Sequence, residues 1–234
     1  MNIIALLIDL FLHLDEHLEK VLQQFGAFTY LFLYLIIFAE TGLVVAPFLP
    51  GDSLLFVAGT LAGSGHLNIV SIYLGILASA IIGDTLNYAI GNKIGPKVFS
   101  KGNSKIFKKE YLEKTREFYA KHGAKTIILA RFLPILRTFA PFVAGIGNMH
   151  YRTFLFYNFL GGFLWVTLFT FAGYFFGGLE VVQTNFHYVV VGIIFVSIIP
   201  LVIEYAKHKQ GPKMGKKQLE HATYKEIKQT LKEY

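Results

Sequence analysis

The chain has 234 residues, 54% hydrophobic and only 16% charged, with 23 Phe and 13 Tyr against a single Trp. Its mean hydropathy is +0.50, a polytopic membrane composition that excludes an ordinary soluble domain. Cys is absent, which excludes disulfides, thiol nucleophiles and cysteine metal sites, and the net charge of +7 is gathered in two clusters rather than spread.

The opening MNIIALLIDLFLHLDEHLEK lacks a basic start and a small-residue cleavage site, so it is read as an amphipathic interfacial helix rather than a cleaved signal peptide. Within it, His13 to His17 formally matches H-x-x-E-H, but no third ligand accompanies it and no metal is expected.

The next apolar run, Tyr30 to Ala62, is interrupted. Tyr30 to Ala39 and Leu54 to Ala62 are apolar arms too short to span comfortably; Glu40, Gly42, Pro47, Pro50, Gly51 and Asp52 lie between them. This pattern predicts a re-entrant hairpin at about 30–62. The loop GSGHLN that follows lacks the lysine of a phosphate-binding loop, and nucleotide binding is rejected. Ile69 to Ile90 is long enough to cross, and Gly75, Ser79 and Gly83 give it a small-residue face for close packing, with Asp84 and Tyr88 on a nearby face.

Lys93 to Lys125 is strongly basic, as is Lys207 to Lys217 after the last apolar run. Both are expected in the cytoplasm, near anionic headgroups rather than nucleic acid. Two segments on the same side must be joined by an even number of crossings, yet three apolar segments separate them: Thr126 to Ile146, Phe154 to Leu179 and Tyr188 to Tyr205. The first is the one expected not to cross, because Arg131 and Arg137 are costly at mid-bilayer and Pro134 and Pro141 interrupt its helix. A second re-entrant hairpin, about 126–147 and ending near Gly145, follows, entering from the face opposite the first. Irregular backbone at that depth must be buried in protein or line a wet cavity. Opposed broken hairpins are the arrangement of inverted-repeat transporters, although no residue-level repeat is evident. Gly173 and Gly177 form a G-x-x-x-G expected to pack.

The expected architecture is therefore an all-α polytopic membrane protein: two opposed hairpins among about three or four transmembrane helices, in one domain over 1–210. Residues 211–234 read as a basic cytoplasmic tail plus an appendage, with Leu219-Glu220-His221 having the look of a cloning scar.

Three motifs stand in order: E-T-G-x-x-x-x-P-x-x-P-G-D at Glu40 to Asp52, G-D-x-x-x-Y-x-x-G at Gly83 to Gly91, and R-F-x-P-x-x-R-T-F-A-P-x-x-A-G at Arg131 to Gly145. Together they resemble the bacterial DedA family of the wider VTT, or SNARE-associated Golgi protein, superfamily, over about residues 1 to 210. The resemblance implies a multi-pass protein of the bacterial cytoplasmic membrane with two re-entrant hairpins. It also implies movement of polar-headed lipids between leaflets, undecaprenyl phosphate and phosphatidylethanolamine among them, with links to proton-motive force. The positions matching Glu40, Asp52, Arg131 and Arg137 are the family's functionally important charged set.

The chemistry of these residues points the same way. Guanidinium groups are always charged and weakly hydrated, and they give bidentate donors to phosphate. Arg131 and Arg137 are six apart and would point about 240° apart on a continuous helix, but a break at Pro134 lets them converge. Glu40 and Asp52 are the expected counter-charges. A headgroup phosphate would displace a carboxylate, which then takes up a proton, with Glu40 favoured for that role, Asp52 as an alternative helix cap and Asp84 as a third ionisable candidate. The plainer reading is that these ion pairs only hold two hairpins together. Asn87, Tyr88, Tyr157 and Asn158 either line a headgroup path or make interhelical contacts.

A lipid translocase for a phosphate-headed lipid, undecaprenyl phosphate for choice, is thus the expected function, with membrane lipids and protons as partners. A broader phospholipid scramblase and a proton-coupled small-solute antiporter are the alternatives. No enzyme activity and no cofactor are expected, since no nucleophile has an adjacent base, and a homo-oligomer is compatible with the sequence.

Overall fold

The structure is a computed structural model, and it describes residues 24–43, 51–100, 119, 122–185, 188–189 and 192. The expected N-terminal helix with its His13–His17 motif, Pro47, Pro50, most of the basic loop, nearly all of the last apolar run and the tail lie outside these residues. Among the described residues every regular element is helical.

Helix α1 (Phe28–Gly42) forms from an apolar run without helix breakers and ends where Leu43 turns extended, its N–H bonding Ala39 O at 3.0 Å. Helix α2 (Gly51–Gly63) follows. With 15 and 13 residues, these arms reach only about 20 Å, short of the roughly 30 Å hydrocarbon core. A tight turn with Gly65 at φ +81° leads to α3 (Ile69–Ser100), where Asn68 Oδ1 caps the helix by accepting the Ser71 N–H at 3.0 Å.

A 3₁₀ turn (Gly123–Lys125) leads into the short α4 (Thr126–Ala130). Arg131 to Leu133 then form a tight bend, and α5 (Pro134–Ile146) opens on its proline after an extended Leu133. Helix α6 (Tyr151–Phe176) and the short α7 (Glu180–Thr184) complete the described elements. The apolar part of α3, Ile69–Ile94, and α6 are each 26 residues, long and apolar enough to cross a membrane. Phe156, Phe159, Leu168 and Phe175 on α6 are exposed, as a lipid-facing surface requires.

Two apolar cores stack along the long helices. One gathers Leu33, Ile37, Leu54, Leu55, Ile72, Ile76 and Trp165; the other gathers Tyr88, Ile127, Phe139, Phe142, Val143 and Phe154. Asp84 and Asn87 fall between Ala80 and Tyr88 on α3, and Asn158 falls between Phe154 and Trp165 on α6, so the buried polar residues sit at the seam.

The packing is reciprocal. A Cβ on Gly59 of α2 would strike Thr170 O and then Tyr174 N of α6; one on Gly145 of α5 would strike Tyr88 O and then Asn92 N of α3. In return Gly173 of α6 lies against Phe56 O of α2, and Gly91 of α3 against Phe142 O of α5. Each hairpin's second arm thus seats on the long helix of the other half, at the same spacing of glycine and carbonyl. That exchange is what a two-fold relation between the halves produces, each patch of one half matched by its equivalent in the other. Gly173 and Gly177 pack as their spacing predicts, Gly177 against Thr60.

Candidate functional site

The six-residue separation of Arg131 and Arg137 is resolved by the bend at 131–133, which places one arginine before α5 and the other on it. Both guanidiniums reach the ring of Trp165 on α6, their central carbons 5.6 Å (Arg131) and 5.0 Å (Arg137) from its centroid. Both arginines are almost completely buried.

Arg137 faces two acids. Its Nη2 donates to Glu40 Oε1, and its Nη1 donates to Asp52 Oδ1 at 2.9 Å. Asp52 Oδ1 also accepts the Trp165 indole N–H at 2.8 Å. Glu40 Oε1 accepts the Gly51 backbone N–H at 3.3 Å, long for such a bond, while Oε2 has no partner. Gly51 is required here for space, because a Cβ would collide with the Glu40 carboxylate.

Arg131 forms a second centre. Its Nη2 donates to Asp84 Oδ2 on α3 and to Asn158 Oδ1 on α6, the latter at 2.7 Å. Asn158 in turn donates to Ile81 O at 3.1 Å, which fixes the orientation of its amide. Gly161 and Gly162 leave α6 bare beside Arg131; a Cβ on them would lie 3.6 Å from Nε and 3.8 Å from the central guanidinium carbon. Four charged groups keep a buried atom without a partner: Arg131 Nη1, Arg137 Nε, Glu40 Oε2 and Asp84 Oδ1. Such orphans are costly, and a phosphate headgroup could satisfy the two donors.

The expected residues therefore converge, but not as one split site. Glu40 and Asp52 both serve Arg137, and Asp84, expected only as a third candidate, is the acid of Arg131. Gly42 and Gly145 are packing positions rather than turns: Gly42 abuts Gly83, and Gly145 abuts Tyr88. Pro134 does open a helix, whereas Pro141 sits inside α5. Pro141 has no N–H for the Arg137 carbonyl, and α5 nevertheless continues through it; side chains from other segments bond to α5 at Thr138 O, from Asn87 Nδ2 at 2.7 Å, and at Ala140 O, from Tyr119 at 3.0 Å. Asn87 and Asn158 make interhelical bonds, Asn87 also reaching Thr41 O at 3.2 Å, and Tyr88 of α3 donates to Met149 O in the turn between α5 and α6.

Sequence reasoning missed Trp165. The signal was present as the lone Trp among 23 Phe, where a ring with an N–H stands for a reason that a Phe does not share.

Comparison with known proteins agrees with this frame. The VTT domain profile matches residues 49–175, more than half of the chain. Protein DedA of Escherichia coli strain K12 is 57% identical over 213 residues, covering 90% of this chain and 97% of that protein. Inner membrane protein YghB of the same organism is 34% identical over 160 residues, 68% of this chain and 70% of that protein, and Inner membrane protein YqjA is 32% identical over 148 residues, 63% and 67% respectively. No solved structure matches. On these grounds the chain is a membrane protein that belongs to the DedA family and carries its VTT domain.

Proposed function

We propose that this protein moves a phosphate-headed lipid between the leaflets of the bacterial cytoplasmic membrane, with undecaprenyl phosphate as the substrate that best fits. The observation that carries the proposal is the Arg137 centre, one buried guanidinium held by two carboxylates with its Nε unpartnered. A phosphate oxygen can take Nε before either acid lets go, so exchange proceeds without a stage in which the arginine is bare. Stepwise exchange matters because breaking a buried pair outright costs about 3–5 kcal/mol.

Two acids against one arginine also leave a carboxylate in excess. An unbalanced buried charge is unfavourable, and a proton removes it. Phosphate binding is then linked to proton uptake, which gives proton-motive force a route into transport. The two broken hairpins act as re-entrant arms, with the 93–125 loop and the C-terminus cytoplasmic in a multi-pass arrangement; the short arms and the basic loop support this. No chemical step on the lipid is needed.

The test is headgroup competition in proteoliposomes. Undecaprenyl phosphate should move and be competed by other phosphate monoesters more strongly than by phosphatidylethanolamine. Equal movement of phosphatidylethanolamine would replace specific transport by broad scrambling. Dissipation of a pH gradient without lipid substrate would favour a small-solute antiporter, and release of free phosphate would make the protein an enzyme.

A further inference from the structure

We propose that Trp165 is a positioning residue that keeps Asp52 satisfied while Arg137 turns to the headgroup, so that Glu40 alone carries the exchanged proton. This deepens the lipid-phosphate reading and rests on it. The two acids at Arg137 are unequally provided. Asp52 Oδ1 accepts from both Arg137 and the Trp165 indole, the latter at 2.8 Å, and Asp52 sits in the first turn of the 13-residue α2, where the positive helix end favours an anion. Glu40, fully buried on α1, keeps only the 3.3 Å bond from Gly51 once Arg137 leaves, and its Oε2 has no partner.

An indole N–H can only donate and carries no charge, so a phosphate cannot draw it away as it draws a guanidinium. Hydrogen bonding to the ionised form favours that form, and the acid left with only one long donor bond is the one that takes the proton. Among the groups facing Asp52 are Arg137 from α5, Glu40 from α1 and Trp165 from α6; Arg131, with Asp84 as its acid, forms the neighbouring centre on the same indole. A Phe, the chain's commoner aromatic by 23 to one, would offer the same ring face to both guanidiniums without the donor.

The experiment measures binding of a radiolabelled polyprenyl phosphate to purified protein across a pH series, with polyprenol as the uncharged control. Ionisation of the headgroup itself is common to all variants, so differences between variants belong to the protein. Wild type should bind more tightly as pH falls, by up to about tenfold per pH unit for one proton. Glu40→Gln should lose that dependence and Asp52→Asn should keep it. In Glu40→Gln combined with Trp165→Phe the dependence should return, because Asp52 now takes the proton. A dependence lost in Asp52→Asn and kept in Glu40→Gln overturns the proposal, and this comparison needs no change at position 165. A double variant that binds but stays independent of pH also overturns it. If wild type does not prefer polyprenyl phosphate over polyprenol at any pH, the lipid-phosphate reading fails and this inference with it.

Discussion

The two halves of the molecule share a frame and differ in chemistry. Gly59 on Thr170 and Gly173 on Phe56 join one hairpin arm to α6; Gly145 on Tyr88 and Gly91 on Phe142 join the other arm to α3 in the same way. The charged residues follow no such rule. Glu40, Asp52 and Asp84 come from the first half, and Arg131, Arg137, Asn158 and Trp165 from the second. Backbone packing is therefore matched between the halves while the ion pairs are divided between them, and the pairs Arg131–Asp84, Arg137–Glu40 and Arg137–Asp52 each cross from one half to the other. A scaffold whose halves are joined through buried charges is suited to change their relation under the exchange proposed above.

The largest expected effect comes from breaking the cross-half pairing. Arg137→Ala leaves the buried Glu40 and the partly buried Asp52 without their guanidinium and should lower stability by about 3–5 kcal/mol, read as unfolding in detergent; a loss below 1 kcal/mol would mean that the pairs do not join the halves. Next are the glycines. Gly59→Val and Gly145→Val each force a side chain into a carbonyl of the opposite half and should each cost about 1–3 kcal/mol. Similar losses sharpen the two-fold comparison, and a severalfold difference breaks it. Gly178→Ala, with open space around it, is the control and should change little. Asn158→Ala removes the neutral acceptor of Arg131 and should cost about 1–3 kcal/mol, measured the same way. The smallest effect belongs to Tyr73→Phe, which loses a 2.8 Å bond to Thr167 between α3 and α6 and should cost about 0.6 kcal/mol.

Much of the site was legible because charge and proline inside an apolar run are anomalies that sequence displays directly. Glu40, Asp52, Arg131 and Arg137 stand out in this way, and the interruption of each hairpin follows from the same residues. Their pairing was not legible. Arg131 meets Asp84 across 47 positions and Arg137 meets Glu40 across 97, and which acid reaches which arginine is decided by how α1, α2 and α3 pack against α5 and the bend before it, not by spacing within a segment. Trp165 was hidden, and Asn158 was legible only as a path-lining or interhelical amide, because one aromatic and one amide on a membrane helix look like packing until a guanidinium is seen beside them. The relation between the halves was legible only as a topology, because its contacts reside in glycines that meet carbonyls, and a carbonyl leaves no mark on the sequence. Pro141 misled for the converse reason: a proline signals a lost donor, but one missing bond does not end α5, which runs unbroken from Pro134 to Ile146.

The central proposal is that a phosphate headgroup takes the place of a carboxylate on Arg137. The most direct measurement is a leaflet-resolved undecaprenyl phosphate assay on wild type and Arg137→Lys reconstituted side by side, with folding checked by the emission of Trp165. Lys keeps the charge that Glu40 and Asp52 need and loses the planar fork, so transport should fall by on the order of tenfold or more in a folded protein. Transport at the wild-type rate in folded Arg137→Lys would contradict phosphate exchange at this arginine.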